Sequence, residues 1–433
     1  MKSLLMSVAL ITPLTLAPIK VIAESIGLDQ AIYQAIHNDN WLKSSELRES
    51  ALRNEAISHR ALPDPTMSLG IANVPTDSWE FDQENMTQLK VGITQRFPSG
   101  NSRSIKARKS QLMADVTPYL RLERKAQLTQ VVSHLWLDSY LAHQSIKLIE
   151  SERYLFEQLV DITTARYQSA LGGARQQDVV RAQLELTKLQ DRLTRLYLQY
   201  DTNRQLLSEW LPFETRILGL SEKLPLMKKV PSLSIDTLQK NIRRHPQLRI
   251  TDKQIEIKQA DIELAQEDYK PDWALNVSYG YREDTPMGME RSDFVSVGVS
   301  FELPVFTQNR QDKTVSAANS RKQALAFDYQ LQQKNLLSKA LKTLSEIERL
   351  EQRSALYQTQ LLKQAHEQAE ASLSAYTNDD GDFADVMRAY IAELNSKVEA
   401  LEITIKQRKA LATMNYLLAG SNNQLQESKH ESR

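Results

Sequence analysis

The chain has 433 residues, with 54 basic and 54 acidic side chains, 12 glycines, 14 prolines and no cysteine. Absence of cysteine excludes disulfides, thiolate metal sites, a cysteine nucleophile and a lipid-modified N-terminal cysteine, and balanced charge argues against a dedicated nucleic-acid binder. Glycine is well below the usual ~7 %, and a chain that is 41 % hydrophobic and 25 % charged is expected to fold, mostly as long helices.

Met1–Ala23 reads as an export signal. Lys2 opens it, Leu4–Ala17 is apolar apart from Pro13, and Val21-Ile22-Ala23 precedes a cleavage site before Glu24. Pro13, Pro18 and Lys20 argue against a membrane anchor, which needs about 20 clean apolar residues. Cleavage removes Lys2 and Lys20 and leaves a net charge of −2. No later apolar run approaches a transmembrane helix, so a mature chain that enters a bilayer does so as a β-barrel.

Residues 24–212 and 236–418 read as two copies of one plan, joined by a Pro- and Lys-rich linker over 213–235 and followed by a polar tail over 419–433. The first copy predicts a helix over Leu28–Arg60, strands over Thr66–Val74 and Met86–Phe97, a helix over Ser102–Ser169 that contains Pro118, and a return helix to Leu211 after Leu171-Gly172-Gly173. The second predicts a helix over Ile235–Tyr269, with Pro246 near its start, then strands over Trp273–Arg282 and Ser292–Leu303. A helix over Asn309–Ala375, a turn at Asn378–Asp382 and a helix to Leu418 complete it. Three landmarks carry the duplication. Pro63-Asp64 and Pro271-Asp272 stand 208 positions apart, Phe97-Pro98 and Leu303-Pro304 stand 206 apart, and Asp178-Val179 and Asp385-Val386 stand 207 apart.

A helix of about 65 residues spans roughly 100 Å, too long for a globule. The return helices carry its seam. Val179, Ala182, Leu186, Leu189, Leu193, Leu196 and Tyr200 alternate spacings of three and four, as do Ala384, Met387, Ile391, Leu394, Val398, Leu401 and Ile405, the heptad mark of supercoiled packing. The strands alternate apolar with small or polar residues: Met67, Leu69 and Ile71; Leu89, Val91, Ile93 and Phe97; Trp273, Leu275, Val277, Tyr279 and Tyr281; Val295, Val297, Val299, Phe301 and Leu303. Such alternation suits either a soluble sheet with one buried face or a bilayer-crossing barrel with interfacial aromatics. Export favours the barrel. Four strands cannot close one, because about eight are needed, whereas a trimer supplies twelve.

These features resemble the TolC family of bacterial outer-membrane efflux channels over essentially the whole mature chain. The most specific marks are Arg166-Tyr167 with Asp178-Val179-Val180-Arg181-Ala182, and Ala375-Tyr376 with Asp385-Val386-Met387-Arg388-Ala389; Tyr167 to Asp178 is about two residues longer than the family pattern. Asp64-Pro65 and Phe97-Pro98-Ser99-Gly100 look most like the heavy-metal (cobalt–zinc–cadmium) branch. The resemblance implies a mainly α protein with transmembrane β: a homotrimeric 12-stranded barrel in outer-membrane lipid, continuing into a periplasmic coiled-coil tunnel. It implies a periplasmic adaptor and an inner-membrane pump of the resistance-nodulation-division type as partners. It places adaptor docking at Leu171, Gly172, Gly173, Asp178, Gly381, Phe383 and Asp385, and the hairpin loops Pro75–Asn85 and Glu283–Arg291 outside the cell.

A passive duct needs no enzyme chemistry and no cofactor. Asp379, Asp380 and Asp382 put three carboxylates in one turn, where a trimer would stack them as a gate or cation ring. Turn-forming and helix-capping are the competing roles, and Asp178 and Asp385 suit the first turn of a helix. His37, His59, His134, His143, His245, His366 and His430 show no ligand spacing, and Met287-Gly288-Met289 reads as a flexible loop rather than a soft-metal pair. The expected role is exit duct of a tripartite efflux system for heavy-metal cations. Multidrug efflux and type I protein secretion are alternatives within the class, and a periplasmic adaptor or structural coiled coil is the alternative outside it.

Overall fold

The computed structural model describes residues 25–169, 175–212, 219–227, 234–378 and 380–420. The predicted leader, Leu171, Gly172, Gly173, Asp379, most of the linker and the tail after Gly420 lie outside the described residues. The first repeat runs α1 (Leu28–His37), α2 (Asn40–Arg60), β1 (Thr66–Ala72), β2 (Gln88–Phe97), α3 (Ser102–Gln168) and α4 (Gln176–Ser208). The second runs α5 (Ile235–Ile242), α6 (Pro246–Glu267), β3 (Asp272–Tyr281), β4 (Phe294–Glu302), α7 (Gln311–Leu356), α8 (Leu362–Thr377) and α9 (Phe383–Leu417).

Each predicted leading helix is in fact two. In the first repeat Asn38 ends α1 and the Asp39 carboxylate caps α2, accepting from the Trp41 N–H at 2.7 Å. In the second, His245 caps α6 and Pro246 occupies its first position, where a missing N–H costs nothing. The two caps stand 206 positions apart. Pro118, by contrast, leaves α3 continuous. The Ala114 carbonyl that loses its backbone donor lies 2.7 Å from the Thr117 hydroxyl, which replaces it. The long helix of the second repeat is interrupted once, by a π-helical turn at Tyr357–Leu361 between α7 and α8.

The long helices change partners half-way. Nearer the sheet α3 packs between α2 and α6, and α6 packs on α7; farther away α3 packs on α4 and α9, and α9 on α8. The upper contact is charged: Glu49 on α2 lies 2.7 Å from both Arg53 and Arg121, which hold its carboxyl down at about 2. At mid-length Trp136 and Leu137 are fully buried with Ile26, Leu207 and Ile405, and the Trp136 indole donates to the Ile26 carbonyl at 3.1 Å. Below, the predicted heptads form the seams. Ala182, Leu189, Leu193, Met387, Leu394 and Val398 are buried in one cluster, with Leu186, Leu196, Tyr200 and Ile391 packed against it.

Candidate functional site

The four strands form one antiparallel sheet in the order β1-β2-β3-β4, with the β2–β3 ladder joining the repeats. Register gathers every apolar alternate residue on one face. Leu69, Val91, Tyr279 and Val295 stand in one row across the sheet, Met67, Ile93, Val277 and Val297 in the next, and Phe97, Trp273 and Phe301 in the row nearest the helices. Phe97 and Trp273 stack at 4.0 Å between centroids. The opposite face carries Ser68, Gly92, Ser278 and Ser296 in one row, and Thr94 donates to Asn276 at 2.6 Å in the next.

Among the described residues nothing covers the apolar face. Leu69 is 70 % exposed, Val297 68 % and Phe301 61 %. A soluble sheet with one buried face is therefore not what this chain forms alone. β1 and β4 are also unpaired on their outer edges, so two apolar strands offer free backbone groups, an arrangement that demands further pairing. At the end remote from the helices the two hairpin loops are tied together. The Arg291 guanidinium lies 3.0 Å from the Asp82 carbonyl and 3.4 Å from that of Glu84, and Arg282 donates to the Asn85 carbonyl at 2.9 Å. Among the described residues, no helix is long and apolar enough to cross a membrane.

The far end of the helices holds the other predicted residues. The Asp382 carboxylate accepts from the Ala384 N–H at 3.1 Å and caps α9. Asp380 donates its backbone N–H to the Ala375 carbonyl at 3.0 Å, closing the end of α8. A Cβ at Gly381 would lie 2.9 Å from the Tyr376 nitrogen, so the turn requires glycine there. Phe383 is buried edge-on against Tyr376, 5.6 Å between centroids. Asp178 is buried and accepts from the Arg175 N–H at 2.9 Å, while Asp385 is exposed and pairs with Arg388. Asp380, Asp382 and Asp385 share one open groove with Arg388, so capping and exposure coexist. Phe383 and Asp178 shape this end from within rather than forming its surface.

One contact escaped the sequence reading. The Arg166 guanidinium of α3 sits 4.5 Å from the centroid of the Tyr376 ring on α8, and its Nη1 lies 3.4 Å from the Tyr376 carbonyl. It clasps the two repeats at their far ends. The recurrence of Tyr in Arg166-Tyr167 and Ala375-Tyr376 was the available signal, but no pattern tells that Arg166 reaches the second Tyr. Among the described residues, no group of three His, Cys, Asp or Glu side chains is arranged to hold a metal ion. Met287 and Met289 are exposed on a turn at Gly288. His134, His245 and His366 instead serve helix contacts to α9, at the Lys409 carbonyl, the Tyr416 carbonyl and the Glu393 carboxylate.

No protein-family model and no curated protein matches the chain. Solved structures do. The outer membrane protein VceC from Vibrio cholerae is 13 % identical with a TM-score of 0.75, covering 90 % of this chain and 96 % of that one. The Campylobacter jejuni CmeC outer membrane channel is 14 % identical with a TM-score of 0.75, covering 93 % and 89 %. The Neisseria gonorrhoeae MtrE outer membrane channel, in its open state, is 16 % identical with a TM-score of 0.70, covering 90 % and 88 %. Over nine-tenths of its length, this chain has the fold of solved outer-membrane channels.

Proposed function

We propose that the chain is the outer-membrane channel of a tripartite efflux system, a passive exit duct. The observation that carries this reading is the uncovered apolar face of an open four-stranded sheet, mounted on helices that reach roughly 100 Å at 1.5 Å per residue. A bilayer would cover that face, and β1 of one copy pairing with β4 of the next would remove both edges. Three copies give a barrel of twelve strands, above the minimum of about eight, with the Ser- and Gly-rich face lining the pore. The helices would continue the pore across the periplasm to an adaptor and an inner-membrane pump of the resistance-nodulation-division type, and residues 1–23 would be the export signal. A structural coiled coil or an adaptor has no use for such a sheet.

Heavy-metal cations are the substrate class this reading favours, supported by the exposed carboxylates of Asp380, Asp382 and Asp385 at the entry end. Growth of a deletion strain across divalent metals, copper, silver, dyes and antibiotics, with plasmid complementation, tests it. Selective metal sensitivity is expected; broad dye and drug sensitivity would replace metal export by multidrug efflux. Recovery of the protein as a soluble periplasmic monomer would overturn the channel itself. Changing Asp379, Asp380 and Asp382 together to Asn should lower cation preference in planar bilayers, and an unchanged preference would leave them as turn residues.

A further inference from the structure

At mid-length, α3, α7 and α9 enclose an open groove of about 570 Å³, within the ~300–1,000 Å³ of ordinary ligand sites. Its walls are basic. Lys339 and Lys342 on α7 face Lys406 and Lys409 on α9 across the opening. Both pairs are spaced i, i+3, so each puts two ammonium groups on one helical face. Glu346 is the one carboxylate in the lining. Asp138 neutralises Lys409 at 2.7 Å and Glu402 neutralises Lys406 at 2.9 Å, whereas among the described residues neither Lys339 nor Lys342 has a carboxylate within ion-pair distance.

The floor carries hydrogen-bonding groups beside the apolar Ala410 and Leu417. Gln130 and His134 of α3 both reach the Thr413 hydroxyl at 3.1 Å. The His134 Nε2 also lies 3.2 Å from the Lys409 carbonyl. A carbonyl only accepts, so Nε2 carries the proton. Apolar helix seams flank this stretch on the same helices: Leu336, Ala340 and Ile347 of α7 pack with Ile403, Ala410 and Met414 of α9. The groove is thus a lysine-rimmed opening whose walls mix hydrogen-bonding groups with the apolar Ala410 and Leu417.

We propose that this groove binds small polyanions bearing phosphate or carboxylate groups, with Lys339 and Lys342 as the principal contacts. The uncompensated ammonium groups of Lys339 and Lys342, with the paired Lys406 and Lys409 opposite, match several oxygens on one compact ligand, which a single surface lysine does not. The inference stands on the protomer and does not depend on the channel reading.

The test uses the full-length protein in detergent at 20 mM salt, with sodium tripolyphosphate and citrate as separate probes in isothermal titration calorimetry. Saturable binding at one site per chain is expected for tripolyphosphate, citrate or both, and whichever binds names the oxygen chemistry. K339Q/K342Q should weaken that binding at least roughly tenfold, because little salt screening opposes the charge contribution under these conditions. Both lysines are exposed, and an unchanged thermal melt would show that the variant is folded. K43Q/K106Q removes the same charge elsewhere on the exposed surface and should leave binding within twofold. No saturable binding to the unaltered protein, or equal losses in the two double variants, would overturn the proposal.

Discussion

The sheet and the helical body use the same residues in opposite ways. In the helices Trp136, Leu137, Ile149 and Met414 are sealed from solvent, and the buried carboxylates of Glu123, Asp178 and Glu393 are each hydrogen-bonded. In the sheet Leu69, Val297 and Phe301 face outward while Ser68, Ser278 and Ser296 occupy the other side. Apolar surface costs roughly 25 cal/mol per Å² in water, so the exposed face of the sheet calls for a covering that the helical body does not need. Under the proposed channel reading, the solvent changes at the row Phe97, Trp273 and Phe301, the aromatic row nearest the helices.

This contrast can be broken from either side. The largest effect is expected in the sheet. Leu69→Arg with Val297→Asp, on the outward apolar face, should abolish membrane integration, read as loss of the protein from the outer-membrane fraction, whereas Ser278→Asp on the opposite face should leave integration intact. Equal recovery of the two would deny that the faces differ. In the helical body Trp136→Ala should destabilise by about 3–5 kcal/mol, through a cavity and the loss of the indole's hydrogen bond to the Ile26 carbonyl, measured by thermal melting.

Three smaller tests sharpen the account of the helices. Burial holds the imidazoles of His134 and His245 below the usual histidine range, so the unfolded chain takes up protons that the folded chain refuses. Stability should therefore be full above about pH 6.5 and fall as pH drops below it. A denaturation midpoint that does not move between pH 7.5 and 5.5 would contradict this. At the far end, Arg166→Ala removes the cation–π contact with Tyr376, worth about 0.5–2 kcal/mol. Faster amide exchange around Tyr376 and Phe383 is expected, with the sheet unaffected. Asp382→Ala should cost least, about 1 kcal/mol, through loss of the α9 cap; a larger loss would give that carboxylate a role beyond capping.

Much of the fold was legible because it is periodic. The heptads ending at Tyr200 and Ile405 and the four alternating strands appear in the structure where spacing put them, within two residues at the strand ends. The broken leading helices were not seen as breaks, because Asn38-Asp39 sits inside an amphipathic run and its capping role depends on backbone geometry. The π-turn at Tyr357 has no sequence mark at all. At the far end Asp382 caps α9, and its residue type fits a cap and a ring of carboxylates equally, because residue type alone does not say which oxygen is occupied. The Arg166 clasp and the lysine groove went unread for a different reason. Each depends on which helices become neighbours, and Lys339 and Lys409 meet across 70 positions of sequence only once α7 lies beside α9.

The most direct test of the central claim exploits the absence of cysteine. Single variants Val297→Cys and Ser296→Cys, adjacent on β4 with side chains on opposite faces, would carry a fluorophore in the membrane-bound protein. The label at 297 should be quenched by a nitroxide on lipid acyl chains and spared by aqueous iodide, and the label at 296 should show the reverse. Equal aqueous quenching at both positions would contradict a lipid-facing sheet and the channel built on it.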